Sequence, residues 1–160
     1  MTLQDLGDLG DFVGGVLLVV SLLYLAYQIR QNTIAQRVAA VQASVGAAND
    51  LSRMFAVHPE VLHLALRGRD DFAGLEAEEQ ARLSQVLAIA LRNFALNLEL
   101  ARKKLIPEGI CEAYEANLRP FLDSPSGRLW WSENASHFDA EFRGHLDARL
   151  AAWARAAPAE

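Results

Sequence analysis

A chain of 160 residues has room for one compact domain and an anchor, not for two full domains. Its formal net charge of −5 leaves no whole-chain electrostatic footprint for nucleic acid. The single cysteine, Cys111, excludes an internal disulfide and a cysteine-based zinc site, and the 52% hydrophobic content is concentrated near the N-terminus.

Residues 1–11 form a short N-terminal segment carrying Asp5, Asp8 and Asp11. Phe12 to Ile29 then contains no charged residue and is mostly valine, leucine, glycine and aromatic. About 18 helical residues reach about 27 Å, close to the hydrocarbon thickness of a bilayer. Tyr24 and Tyr27 lie near one end, where amphipathic rings favour the membrane interface. A cleaved signal peptide would want basic residues before this run and a small-residue cleavage site after it. Here aspartates precede and Tyr27-Gln28-Ile29-Arg30 follows. A buried core helix is disfavoured by Gly14-Gly15, a pair costly in a water-soluble helix and common in membrane helices. The expectation is a transmembrane helix over 12–29. Arg30 and Arg37 follow it and no lysine or arginine precedes it, so the positive-inside rule puts the C-terminal part in the cytoplasm and the N-terminus outside.

No proline occurs between Met1 and His58. Small and apolar positions keep three- and four-residue spacings through Gly10, Val13, Leu17, Val20, Tyr24, Tyr27, Ile34, Val38, Val41, Val45, Ala48 and Phe55. That rhythm predicts one helix from about residue 9 to about residue 57, roughly 70 Å long, with a continuous packing seam. Its portion 30–57 is a helical extension beyond the membrane. Ile34, Val38, Val41 and Val45 are the soluble seam, packing either on the chain's own helices or on another chain. Gly10 and Gly14 are a small-xxx-small pair, and Ser21 continues that face; such faces let helices approach closely in lipid.

Residues 58–160 read as a cytoplasmic all-helical domain. Pro59 to about Arg67 is a short helix, and Gly68 to Leu75 a turn. Glu76, Glu78 and Glu79 suit the N-terminal end of a long helix reaching about Leu105, with Leu83, Leu87, Leu91, Phe94, Leu98, Ala101 and Leu105 as its stripe. Pro107 permits a further start, and Pro120 kinks or ends that helix. Ser124-Pro125 reads as an N-cap with proline behind it, and Asp139 as the cap of a last helix bearing Phe142, Leu146, Leu150 and Trp153. The fold class is therefore all-α: an N-terminal transmembrane helix, its soluble continuation and a small bundle.

Leu23-Tyr24-Leu25-Ala26-Tyr27-Gln28-Ile29-Arg30-Gln31-Asn32-Thr33, Ser124-Pro125-Ser126-Gly127-Arg128-Leu129-Trp130-Trp131 and His137-Phe138-Asp139-Ala140-Glu141-Phe142-Arg143 together carry a resemblance. The chain resembles a widespread family of short bacterial proteins with one N-terminal transmembrane helix and a helical C-terminal domain. The resemblance covers most of the chain and implies that architecture in a bacterial inner membrane. It implies no activity and no catalytic residues. Leu83 to Leu100 departs from the family in being more aliphatic.

Candidate chemistry is sparse. His58 and His63, five apart, point about 140° apart around a helix, unlike the four-residue spacing of helical zinc motifs. His137 or His145 with Glu141 would need a distant partner, and surface or cap roles suit them better. Asp70, Asp71, Glu76, Glu78 and Glu79 lack the ordered spacing of a calcium loop. Ser124 lacks the glycines of a nucleophile elbow. Glu108, Glu112 and Glu115 would raise the Cys111 pKa, which suits an inert half-buried thiol. No catalytic, metal or cofactor site is expected. Asn93 and Asn97 lie one turn apart, either bonding across a helix interface or marking a solvent side. Trp130 and Trp131 are two packing anchors or a partner surface, tryptophan being enriched in interface hot spots.

The leading expectation is a non-enzymatic, membrane-anchored interaction protein, a homo-oligomer or an accessory subunit of a larger membrane complex. The alternative is a membrane-tethered sensory or regulatory domain binding a small apolar ligand, which a buried cavity near Asn93, Asn97 and Tyr114 would favour. An enzyme ranks last.

Overall fold

A computed structural model of the chain describes residues 3–156, with side chains described from Phe12 onward. The described residues form six α-helices and no strand: α1 (Leu3–Val57), α2 (Pro59–Asp70), α3 (Ala77–Arg102), α4 (Glu108–Leu122), α5 (Pro125–Asn134) and α6 (Ala140–Ala156), with a 3-10 turn at Ala135–His137. The all-α expectation holds, and the long first helix ends where the sequence rhythm ends it, before Pro59. Contacts divide the chain into two units, Met1–Ala39 and Ala40–Glu160.

Among the described residues the first unit is helix alone. Its most apolar 18-residue window has a mean hydropathy of 2.1 with none of it buried, long and apolar enough to cross a membrane. Polar side chains within it bond back along the same helix. The Ser21 hydroxyl donates to the Leu17 carbonyl at 2.8 Å, and the Gln28 amide donates to the Tyr24 hydroxyl at 3.1 Å. Such i to i−4 bonds satisfy groups that lipid would leave without partners.

The second unit begins at Ala40 and so includes residues 40–57 of α1. The reason is a stripe: Val41, Ala48, Leu51 and Phe55 are half-buried and Ser44 is buried, at three- and four-residue spacings. Around it stands a core of Leu83, Leu91, Phe94, Leu122, Trp130, Phe142 and Leu146, all nearly or fully buried. Aromatic rings knit α3, α4, α5 and α6. Phe94 meets Phe142 edge-on at 5.5 Å and stacks with Tyr114 at 6.4 Å, and Trp131 lies 5.4 Å from Phe138.

Caps fix where the helices start. The Ser124 hydroxyl accepts from the Gly127 N–H at 3.0 Å with Pro125 behind it, and the Asp139 carboxylate accepts from the Phe142 N–H at 2.9 Å. Two glycines mark close approaches. A Cβ on Gly127 would lie 2.0 Å from the Phe121 carbonyl oxygen, so α5 turns directly against the end of α4. A Cβ on Gly68 would lie 2.2 Å from Leu83 Cδ2, at the packing of α2 on α3.

α1 begins at Leu3 rather than near residue 9, and three later boundaries also differ from the sequence reading. α2 runs through Gly68 to Asp70 because that glycine faces α3 inside the helix instead of opening the turn. α3 stops at Arg102, where Lys104 adopts φ 57° and the Leu105 N–H bonds to the Leu100 carbonyl at 2.9 Å. That is a left-handed helix stop, with lysine where glycine is usual, which hid it. α4 continues past Pro120 to Leu122, the proline costing one backbone bond near the end of the helix.

Candidate functional site

Two surfaces stand out, one in each unit. On α1, side chains from Phe12 to Ile29 are exposed, and the exposure continues at Ile34 and Val38, which are 53% and 51% exposed. A shallow apolar depression runs along this helix between Phe12, Gly15, Val16, Val19 and Val20. It exists because Gly15 contributes no side chain there; neither Gly14 nor Gly15 would have any neighbour within 4 Å of an added Cβ. Helix backbones in lipid approach closely over such notches. Sequence spacing selects the face of Gly10, Gly14 and Ser21. The depression instead involves Gly15, one position round, and the flanking Phe12, Val16 and Val19 at helical spacing were the signal that could have found it. Gly10 lies among the residues whose surroundings fall outside the description.

The soluble seam divides. Val41 packs on the core of the second unit, whereas Val45 is 46% exposed. The position turned inward beside Val41 is Ser44, 4% exposed. Within the chain, then, Ser44 and not Val45 completes the inward stripe: both 41-44-48 and 41-45-48 are helical spacings, and a serine gave no apolar signal. Arg30 and Arg37 are exposed.

Trp130 and Trp131 are corrected as a partner surface. They are 1% and 4% exposed, and each indole N–H is satisfied inside the fold. Trp130 Nε1 donates to Ser84 Oγ at 2.9 Å, and Trp131 Nε1 donates to an Asp147 carboxylate oxygen at 2.7 Å. They are anchors of the bundle. Adjacent helical positions point about 100° apart, so two neighbouring walls of the core take one ring each.

The second surface is a cavity of about 330 Å³ within the second unit. Ala48, Leu51, Ser52 and Phe55 of α1 form one wall, Ala65 of α2 and Leu83, Val86, Leu87 and Ala90 of α3 others, and Tyr114, Asn117, Leu118 and Phe121 of α4 the last. No charged side chain lines it. Tyr114 is buried, and its hydroxyl has no hydrogen-bond partner among the described residues. Burial pushes its pKa up; Asn93 beside it pulls the other way, without hydrogen-bond geometry good enough to satisfy the phenol. The Ser44 hydroxyl and the Asn97 amide nitrogen are likewise buried without partners. Asn97 is 2% exposed, so it faces inward and does not mark a solvent side.

The remaining polar groups form no comparable site. His145 packs edge-on against Phe94 at 5.8 Å, and desolvation lowers its pKa, opposed by Glu115 and assisted by Arg102 and Arg149. Burial pushes the Cys111 thiol up, with Glu108 and Glu112 adding to it, as expected of an inert thiol. Asp71 closes its own turn by accepting from the Gly74 N–H at 2.9 Å, and Glu79 pairs with Arg67. Among the described residues no three His, Cys, Asp or Glu side chains gather as a metal ion would need. Compared with known proteins, the chain matches no family model, no curated protein and no solved structure.

Proposed function

We propose that this is a non-enzymatic, single-pass protein of the bacterial cytoplasmic membrane whose first helix associates with a second copy, holding the helical domain on the cytoplasmic side. The observation that carries the reading is the exposed apolar face of α1, which spans Phe12 to Ile29 and continues at Ile34 and Val38. Lipid accounts for about 18 residues of it. Ile34 and Val38 lie beyond that length, and each contributes on the order of 1.5–3 kcal/mol if a partner encloses it. The apolar depression at Gly15 supports close helix packing on the same element. Arg30 and Arg37 after the span support a cytoplasmic domain. The family resemblance supports the bacterial membrane.

Cross-linking in native membranes tests the association. Oxidation of full-length Val38→Cys should trap a disulfide-linked dimer, while Gln36→Cys, on the opposite helix face, should not. Cross-links from Val38→Cys to a different protein would instead identify an accessory subunit of a larger membrane complex. Absence of any cross-link would remove the interface. A reporter fused after Glu160 tests orientation: cytoplasmic activity is expected, and efficient alkaline phosphatase activity would reverse it.

A further inference from the structure

Just past the apolar run, one polar residue interrupts the packing seam of α1. Tyr24, Tyr27, Gln31, Ile34 and Val38 follow at three- and four-residue spacings, and at about 100° per residue they share an arc of about 80°. All five are exposed on the chain's own fold. Four of them offer apolar or aromatic surface, whereas Gln31, two residues past Ile29, offers an amide. Its Nε2 donates to the Tyr27 hydroxyl one turn back, which keeps the amide along the seam. A primary amide has two N–H donors and a carbonyl acceptor, so after that bond it still has one N–H to give and an oxygen that accepts. Gln31 lies seven residues from both Tyr24 and Val38, at the same heptad position. A single polar residue at such a position is the means by which paired helices select partner and oligomer order.

We propose that Gln31 is the specificity-determining residue of self-association, its amide pairing with the Gln31 amide of a second copy. The inference rests on the self-association proposed above and adds the contact that makes it homotypic. Two features favour an identical partner. A helix anchored across a bilayer holds every copy in one direction and at one height, so residue 31 of one copy meets residue 31 of the next. The remaining N–H and carbonyl of one amide are also the complement of the same two groups on another. An apolar helix from a different protein would leave the amide unpaired in an interface closed to water. The flanking charges permit the arrangement. Arg30 and Arg37 each sit one residue before a seam position, and a parallel pair sets them beside Ala35 and Gln42 of the second copy, so no like charges are opposed.

The test is energy transfer between full-length copies carrying donor or acceptor dyes at the C-terminus, mixed in liposomes. Wild-type copies should associate at pH 5 and pH 8 to within about twofold. Gln31→Glu sets two carboxylates against each other. It should associate at least tenfold more weakly at pH 8, where both are charged, than at pH 5, where they can share a proton. Gln36→Glu, the same charge on the opposite helix face, should follow the wild type. Gln31→Val should associate with its own kind. Mixed pairs of wild type and Gln31→Val should form at least fivefold less than either like pair, because the amide then meets a valine. Position 31 is exposed, so every variant should keep the wild-type melting temperature. Gln31→Glu matching Gln36→Glu at both pH values, or mixed pairs as abundant as like pairs, would overturn the role of Gln31 and leave self-association standing. Absence of transfer between wild-type copies would overturn the association and this inference with it.

Discussion

Leu17, Leu18 and Leu22 in the first unit are 60%, 62% and 58% exposed, whereas Leu83, Leu91 and Leu146 in the second are each 0% exposed. The residue type is the same and so is the secondary structure. What differs is the pattern around it. α3 interrupts its leucines with Arg82, Arg92 and Glu99 on exposed positions, so one face seeks a core and the other seeks water. From Phe12 to Ile29 no charge interrupts the run, and every face is apolar. A helix apolar all round fits either a large protein interior or lipid. The run is long and apolar enough to cross a membrane, and the proposed function takes lipid as its medium.

The largest effect should come from the second unit's centre. Trp130→Ala removes a ring that is 1% exposed and leaves Ser84 without its donor, costing about 3–5 kcal/mol. Chemical denaturation followed by near-ultraviolet circular dichroism should show this loss, while the protein still partitions into membranes. Leu18→Ala should leave domain stability and membrane partitioning both nearly unchanged. If Trp130→Ala also removed membrane partitioning, the two regions would not be energetically separate.

Glycines sharpen the contrast at smaller scale. Gly127→Ala forces a methyl within 2.0 Å of the Phe121 backbone oxygen, so α4 and α5 must part, at a cost of about 1–3 kcal/mol or more. Gly14→Ala meets nothing within 4 Å in the chain and should change domain stability by less than about 0.5 kcal/mol. Equal melting temperatures for the two variants would contradict the close α4–α5 turn. On α1 itself, Val41→Asp should destabilise the domain by about 1–3 kcal/mol, because Val41 packs on its core. Val45→Asp, at a position 46% exposed, should leave unfolding nearly unchanged.

The smallest effect is pH-dependent. The His145 pKa lies below its ordinary 6.5, chiefly through desolvation. The unfolded chain therefore binds more protons than the folded one as pH falls from about 6.5, so stability drops in that window. Above it both states hold a neutral ring and this contribution vanishes. A melting temperature measured from pH 8 down to pH 5 should fall further for the wild type than for His145→Gln. Parallel curves would remove His145 as the cause.

Much of the helical architecture was legible because it rests on local signals. The apolar run without charge, the prolines at 59, 107 and 125, and the caps at Ser124 and Asp139 each act within one turn of helix. What stayed hidden depends on distant partners. Nothing local says that Ser44 rather than Val45 turns inward, since both keep the rhythm and the packing of other helices decides. Trp130 and Trp131 fit an interface as well as a core until Ser84 and Asp147 are found opposite their indoles. The cavity is of the same kind. Tyr114 could be named from α4 alone, but the space between Ala48, Ala65 and Ala90 arises only when three separate helices come together.

The mass of the native particle in lipid nanodiscs tests association through α1 most directly. The wild type should contain at least two copies, and the paired variant Gly14→Leu with Gly15→Leu, which fills the helix notch, should contain one with the same helix content and domain melting temperature. A monomeric wild type, or an oligomer whose mass the paired variant leaves unchanged, would contradict association through the membrane stretch of α1.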